Sequence, residues 1–166
     1  IANLAMLRFQ KTKHPVMQSM MMAKAIAGGL QDKGISYKLL NLQVNHHSDV
    51  MCDVLEAGAV ILGCPTLNNG LLPRMAGFLM YMRGLKPTNK IGAAFATGGD
   101  ASGGKETTMM SIIQALLIYG MIIVGDPMSA TGHYGTACTG APDAETRENG
   151  RRLGRRVAEL VKRLFR

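Results

Sequence analysis

The chain has 166 residues, is 47% hydrophobic and carries 20 glycines, which suits one α/β domain spanning 1–166 and excludes a disordered chain. No run approaches the ~18 apolar residues of a membrane span, no signal-peptide layout stands at the N-terminus, and Ile1 in place of Met fits processing or a piece of a longer chain. The net charge of +8 suggests an acidic partner, but eight of the 19 basic residues fall within the last twenty positions, on one segment.

Asn3–Phe9 reads as a first strand, and Lys11–Ser19 as a loop containing Pro15. A helix to about Lys33 follows, with Met22, Ile26, Gly29 and Leu30 on one face and Gly34 ending it. Ile35–Leu42 is a second strand. His46 and His47 read as exposed loop residues before Ser48-Asp49, which is expected to cap a short helix through Glu56. The run Ala59-Val60-Ile61-Leu62 lacks polar alternation and is closed by Gly63 and Pro65, so it reads as a strand buried on both faces of a parallel sheet. A polar, turn-rich stretch to Gly70 follows, then a helix over Pro73–Gly84 that Lys86-Pro87 breaks.

Ile91–Ala96 is a fourth strand, Thr97–Gly104 a loop, and Lys105–Tyr119 a helix with Met109, Ile112, Ile113, Leu116 and Leu117 facing inward. Met121–Val124 is a fifth strand and Gly125–Pro142 a long loop. The terminal helix carries the stripe Leu153, Val157, Leu160, Val161, Leu164, which leaves its arginines on a solvated face. No aromatics interleave with those arginines as a stacking platform requires, so nucleic-acid binding is not expected. Strands alternating with helices imply a three-layer doubly wound five-stranded parallel sheet. The cysteines (Cys52, Cys64, Cys138) form no CxxC and leave an odd count, so neither a disulfide framework nor a metal site is expected, and a reducing cytoplasm is the expected setting.

Three strand-to-helix loops, Lys11–Ser19, Cys64–Gly70 and Thr97–Gly104, then stand at one edge of the sheet, where open α/β folds bind ligands. Here the chain resembles the flavodoxin-like family. GCPTLNNGLLP and GLKPTNKIGAAF resemble the flavodoxin module of flavodiiron proteins; SGGKETT, YGMIIVG and HYGTACTGAPD are similar to flavodoxin-like NAD(P)H:quinone oxidoreductases. The likeness covers most of residues 20–160.

The resemblance implies a flavodoxin-like fold that binds FMN. Its phosphate would lie at the first loop, against Thr12, His14, Gln18 and Ser19. Its ring would contact Pro65, Thr66, Leu67, Asn68, Asn69 and Gly70, then Thr97, Gly98, Gly99, Asp100 and Gly103. The first loop departs from the family's hydroxyl-rich pattern: among residues 14–19 only Ser19 keeps a hydroxyl, and Pro15 removes an amide donor. Taken alone, Asn68-Asn69-Gly70 reads as a turn. Gly99–Lys105 also matches the GxxxxGK part of a phosphate-binding loop, but Glu106 stands where a magnesium-binding hydroxyl belongs.

Neither ring-binding loop holds an aromatic, so one ring face is expected to stay open, and Lys105 and the basic chain favour an anionic reduced flavin. The expected activity is electron transfer from NAD(P)H through FMN to a quinone-like acceptor or a redox protein. Tyr119, His133 and Tyr134 are candidate walls of the acceptor pocket; Tyr119, at a helix end, also reads as core or subunit interface, and His133 as a proton donor or an ordinary loop histidine. A one-electron carrier module, or a flavin-free subunit that binds a partner, are the alternatives, and the resemblance implies a homo-oligomer.

Overall fold

The computed structural model describes residues 3–8, 15–42 and 44–165, with 3–8, 15, 16 and 47 described as backbone alone. The chain runs β1 (Asn3–Arg8), α1 (Pro15–Asp32), β2 (Tyr37–Asn41), α2 (His47–Glu56), β3 (Ala57–Pro65), α3 (Pro73–Leu85), β4 (Ile91–Gly98), α4 (Lys105–Ile118), β5 (Ile122–Ile123), β6 (Thr136–Thr139) and α5 (Ala144–Leu164). All strands pair in parallel in the order β2-β1-β3-β4-β5, the flavodoxin-like doubly wound order.

The sheet has five strand positions, and its last position is shared. β5 pairs with Ile91 and Gly92 low on β4, while β6 pairs with Phe95–Gly98 at its upper end. The second segment was not expected. Thr136-Ala137-Cys138-Thr139 has no apolar run, and only the bracketing Gly135 and Gly140 mark its ends.

Alternation along β3 and β4 divides the core into two faces. Val60, Leu62, Cys64, Ala94 and Ala96 meet α2, α3 and α4, whereas Ala59, Ile61, Ile91, Ala93 and Phe95 meet α1 and α5. One large side chain and one helix backbone need glycine against them. A Cβ on Gly63 would sit 1.8 Å from Phe95 Cζ, and one on Gly154 would sit 2.1 Å from the Ile26 carbonyl, so these glycines set the depth of the α1/α5 layer.

Several expectations shift. α1 starts at Pro15, at the first helical position, where proline's missing N–H would have had no helical partner, so Gln18 and Ser19 lie in the helix and not in a loop. α2 is capped by His46, whose ring accepts from Ser48 N, so Ser48 and Asp49 are inside the helix. β4 runs two residues past Ala96 because Thr97 and Gly98 pair with Cys138 and Thr139. On α4, Leu117 is exposed and the buried stripe ends at Leu116; on α5, Leu164 is exposed beyond Val161. Among the described residues, no helix is long and apolar enough to cross a membrane.

Candidate functional site

The loops after β3 and β4 meet at the carboxyl edge of the sheet. The first begins as the backbone amide of Thr66 donates to the Thr97 carbonyl at 2.7 Å, then closes on itself at once. Leu67 N donates to Gly70 O at 3.1 Å and Gly70 N returns to Leu67 O at 3.0 Å, while Asn68 and Asn69 take φ of 47° and 64°. Two consecutive left-handed residues between such a bonded pair make a type I′ turn, and asparagine is among the few side chains that tolerate it. Leu67, Asn68 and Asn69 are exposed on this turn.

Hydroxyls on the first turn of α4 fasten the second loop to that turn. Thr107 Oγ1 donates to Asn69 O at 2.8 Å, and Thr66 and Thr108 share a hydroxyl–hydroxyl bond of 2.9 Å. Gly104, at φ 77°, lets the two backbones touch: a Cβ there would lie 2.9 Å from Asn69 Cα. Gly99 and Asp100 are exposed and Gly103 is half-buried, held by its amide to the Asp100 carbonyl at 3.3 Å.

Beneath the second loop lies Lys105, only 5% exposed, whose Nζ donates to the carbonyls of Asp100 and Ala101 at 2.7 and 2.9 Å. This departs from the nucleotide-binding reading of Gly99–Lys105, in which the lysine reaches outward to phosphate. Its charge pairs with no carboxylate among the described residues, so the loop rests on a buried cation.

The floor is strand. Pro65, Thr97 and Gly98 are buried in β3 and β4, and Ser19 in α1 shares a buried 2.6 Å hydroxyl bond with Thr97. Cys64 adds to that floor: its sulfur receives the Leu72 amide at 3.5 Å, and burial pushes its thiol up to about 11. Gln18 is half-buried near the start of α1; Thr12 and His14 lie outside the described residues.

His133 and Tyr134 are elsewhere. They leave the sheet's outer edge between β5 and β6, and Gly135 packs on the Ala94 carbonyl, about 13 Å of strand rise below Gly98. Their loop is built on Asp126, which sequence reasoning passed over. Its buried carboxylate accepts from the amides of Thr131 (3.0 Å), Gly132 (3.2 Å) and His133 (2.7 Å) and from the Thr131 hydroxyl. Arg156 on α5 ties the loop's base through the carbonyls of Gly125 and Asp126 at 3.1 and 2.8 Å. Tyr119 stands at the far end of α4, its hydroxyl donating to Leu79 O at 2.6 Å, so it joins two helices and walls no site at the loop edge.

No family model matches the chain. It is 31% identical over 182 residues to an NAD(P)H dehydrogenase (quinone) from Paraburkholderia phymatum, with 87% of this chain and 91% of that one covered. It is 49% identical over 78 residues to the rubredoxin-oxygen oxidoreductase of Megalodesulfovibrio gigas, covering 47% of this chain but only 19% of that larger protein. It spans 32% of the length of a nitric oxide reductase from Moorella thermoacetica. Among solved structures, a flavodoxin, WrbA-like protein from Agrobacterium tumefaciens superposes with a TM-score of 0.81 over 99% of both chains, at 17% identity, a likeness of fold. With its strand order, its paired loops at the carboxyl edge and this relationship along nearly the whole quinone dehydrogenase, the chain belongs to the flavodoxin-like family of oxidoreductases, whose cofactor is FMN.

Proposed function

We propose that the two clasped loops hold the FMN ring, with Thr66, Leu67, Asn68, Asn69 and Gly70 on one side and Gly99, Asp100 and Gly103 on the other. The phosphate end then lies towards the first turn of α1, near Gln18 and Ser19. One observation carries this reading. Gly70 and Gly99 take no left-handed φ, and a Cβ on either would meet only open space, so neither glycine is required by the protein's own packing. A flat ligand approaching the backbone supplies the missing reason for glycine at both places.

The residues fit such a ligand. Asn68 and Asn69 each offer a side-chain donor and acceptor for the polar edge of a ring. Lys105, buried below the second loop, places positive charge where an anionic reduced ring gains from it. Bound FMN supplies hydride and electron transfer, while the chain supplies orientation and charge. We infer NAD(P)H as donor and a quinone-like compound or redox protein as acceptor, on the likeness to the quinone dehydrogenase and on loops with no aromatic to cover the ring. His133, set to the side of the sheet, has no catalytic role in this reading.

A homo-oligomer is part of the same proposal. Met80 and Tyr81 on α3 are 77% and 62% exposed, and Gly77 and Gly84 flank them with open space above. Sedimentation of the purified chain tests this directly.

The test of the cofactor reading is titration of the flavin-stripped protein with FMN, followed by absorbance and by quenching of flavin fluorescence. Saturable uptake, then NAD(P)H oxidation that depends on an added quinone, is the expected result. A chain that takes up no FMN overturns it and leaves partner binding as the function of the fold.

A further inference from the structure

The basic residues of α5 are not one solvated face. Arg155 pairs with Asp32 at 3.0 Å and with Glu148 at 2.9 Å. Arg152 adds a 3.6 Å contact to Glu148 and reaches the Ser129 carbonyl, and Arg156 is engaged by the carbonyls of Gly125 and Asp126. Towards the start of α5 the cations are less engaged. Arg151 on α5 and Lys24 on α1 make no hydrogen bond or ion pair with the described residues, and Arg147 is held only through Nε, by the carbonyls of Pro142 and Asp143.

These three line one cleft. α1 and α5 touch backbone to backbone at Gly29, where a Cβ would sit 2.0 Å from the Arg151 carbonyl. Towards the start of both helices they part, leaving a space of about 430 Å³. Its floor is Met21, Ala25 and Ala144, and its cationic wall is Lys24, Arg147 and Arg151. The carboxylate in the same lining, Glu148, is already neutralised by Arg155 and Arg152. The Arg151 guanidinium is seated by its Nε/Nη2 edge against Gly28, where a Cβ would come within 3.0 Å of Nε and 3.2 Å of Nη2.

We propose that this cleft binds a phosphorylated small molecule, a nucleoside diphosphate in class, with the phosphates between Lys24, Arg147 and Arg151 and the apolar body over Met21, Ala25 and Ala144. Three cations converge there against one lining carboxylate, Glu148, which Arg152 and Arg155 already share, and the Asp143 carboxyl beside Arg147; this surplus of positive charge suits a group of two or more negative charges better than a single carboxylate. The volume lies within the range of small-ligand sites, and an apolar floor with a few charged groups is their usual lining. The cleft begins about one turn of α1 beyond Gln18 and Ser19, and none of its lining residues belongs to the proposed flavin site, so FMN uptake and anion binding are read as two separate properties.

Calorimetric titration with inorganic pyrophosphate and with ADP, at low salt, separates the two sources of the phosphate chemistry. Both ligands bind the native chain, and ADP binds more tightly because its nucleoside covers the floor. Arg151→Glu lowers both affinities by about tenfold or more and Lys24→Gln by several-fold, with FMN uptake unchanged. Gly28→Ala is the discriminating variant: alanine is the better helix former, so thermal stability rises while anion affinity falls as the guanidinium is displaced. Absence of binding to the native chain overturns the proposal. So does an affinity that Arg151→Glu and Lys24→Gln both leave intact, since the anion is then held elsewhere.

Discussion

Two sets of loops on the sheet are fastened by different means. The loops after β3 and β4 are joined by several neutral bonds between hydroxyls and carbonyls, with a glycine at the point of contact. The loop between β5 and β6 is wound around a single buried carboxylate, Asp126, and is tied to α5 by arginine. Neutral hydrogen bonds contribute roughly 1 kcal/mol each, while those to a charged acceptor contribute about 1.5–3 kcal/mol. The clasp between the first two loops therefore loses a little with each substitution, although Lys105 beneath the second of them holds that loop by two charge-assisted bonds. The loop around Asp126 depends on one residue.

Asp126→Ala is the largest expected effect. It removes the buried carboxylate that collects the part-buried amides of Thr131, Gly132 and His133, and should cost about 1.5–3 kcal/mol for the lost bonds to a charged acceptor. Asp126→Asn keeps one carbonyl oxygen and should cost about half as much. The midpoint of chemical denaturation measures both. Equal, small losses for the two variants would show that the loop is held by its arginine contacts and not by the carboxylate.

In the clasped loops, Gly104→Ala should rank next. It forces a side chain into left-handed backbone and against Asn69 Cα, at a cost of about 1–3 kcal/mol. Because the strain lands on the turn proposed to carry the ring, FMN affinity should fall with stability. Thr107→Val is milder, removing the hydroxyl that reaches Asn69 O, and should cost about 1 kcal/mol, with Thr107→Ser restoring it. If Thr107→Val and Thr107→Ser bind FMN alike, the clasp does not set the turn.

The same contrast explains what the sequence disclosed. The central strand was legible because Ala59–Leu62 has no polar alternation, and the turn because Asn-Asn-Gly tolerates positive φ. The three layers followed from the alternation of elements. Asp126 was not legible: one aspartate in a long loop has no spacing partner, and its importance comes from backbone amides, which carry no letter in the sequence. β6 was hidden for a related reason, since its pairing partner is the upper end of β4 and its own four residues have no strong pattern. Ser19 lies in α1 and not in the loop expected over Lys11–Ser19, since proline is at home in a helix's first position and the helix begins at Pro15.

Each region also holds a buried thiol that reports on it. Cys64 lies under the first loop and Cys138 in β6, and burial pushes each thiol up to about 11 from an ordinary 9.0. The unfolded chain therefore gives up these protons first, so stability is full below pH 9 and declines as pH rises towards 11. At pH 8 the exposed Cys52 should react with a thiol reagent at once, while Cys64 and Cys138 react only when their surroundings open. The comparison then becomes a pair of rates. Asp126→Asn should speed labelling of Cys138 and leave Cys64 unchanged, whereas Thr107→Val should do the reverse, read residue by residue by mass spectrometry. If either variant speeds both thiols equally, the two regions open as one unit, and the different ways in which they are fastened do not divide the edge of the sheet into separate parts.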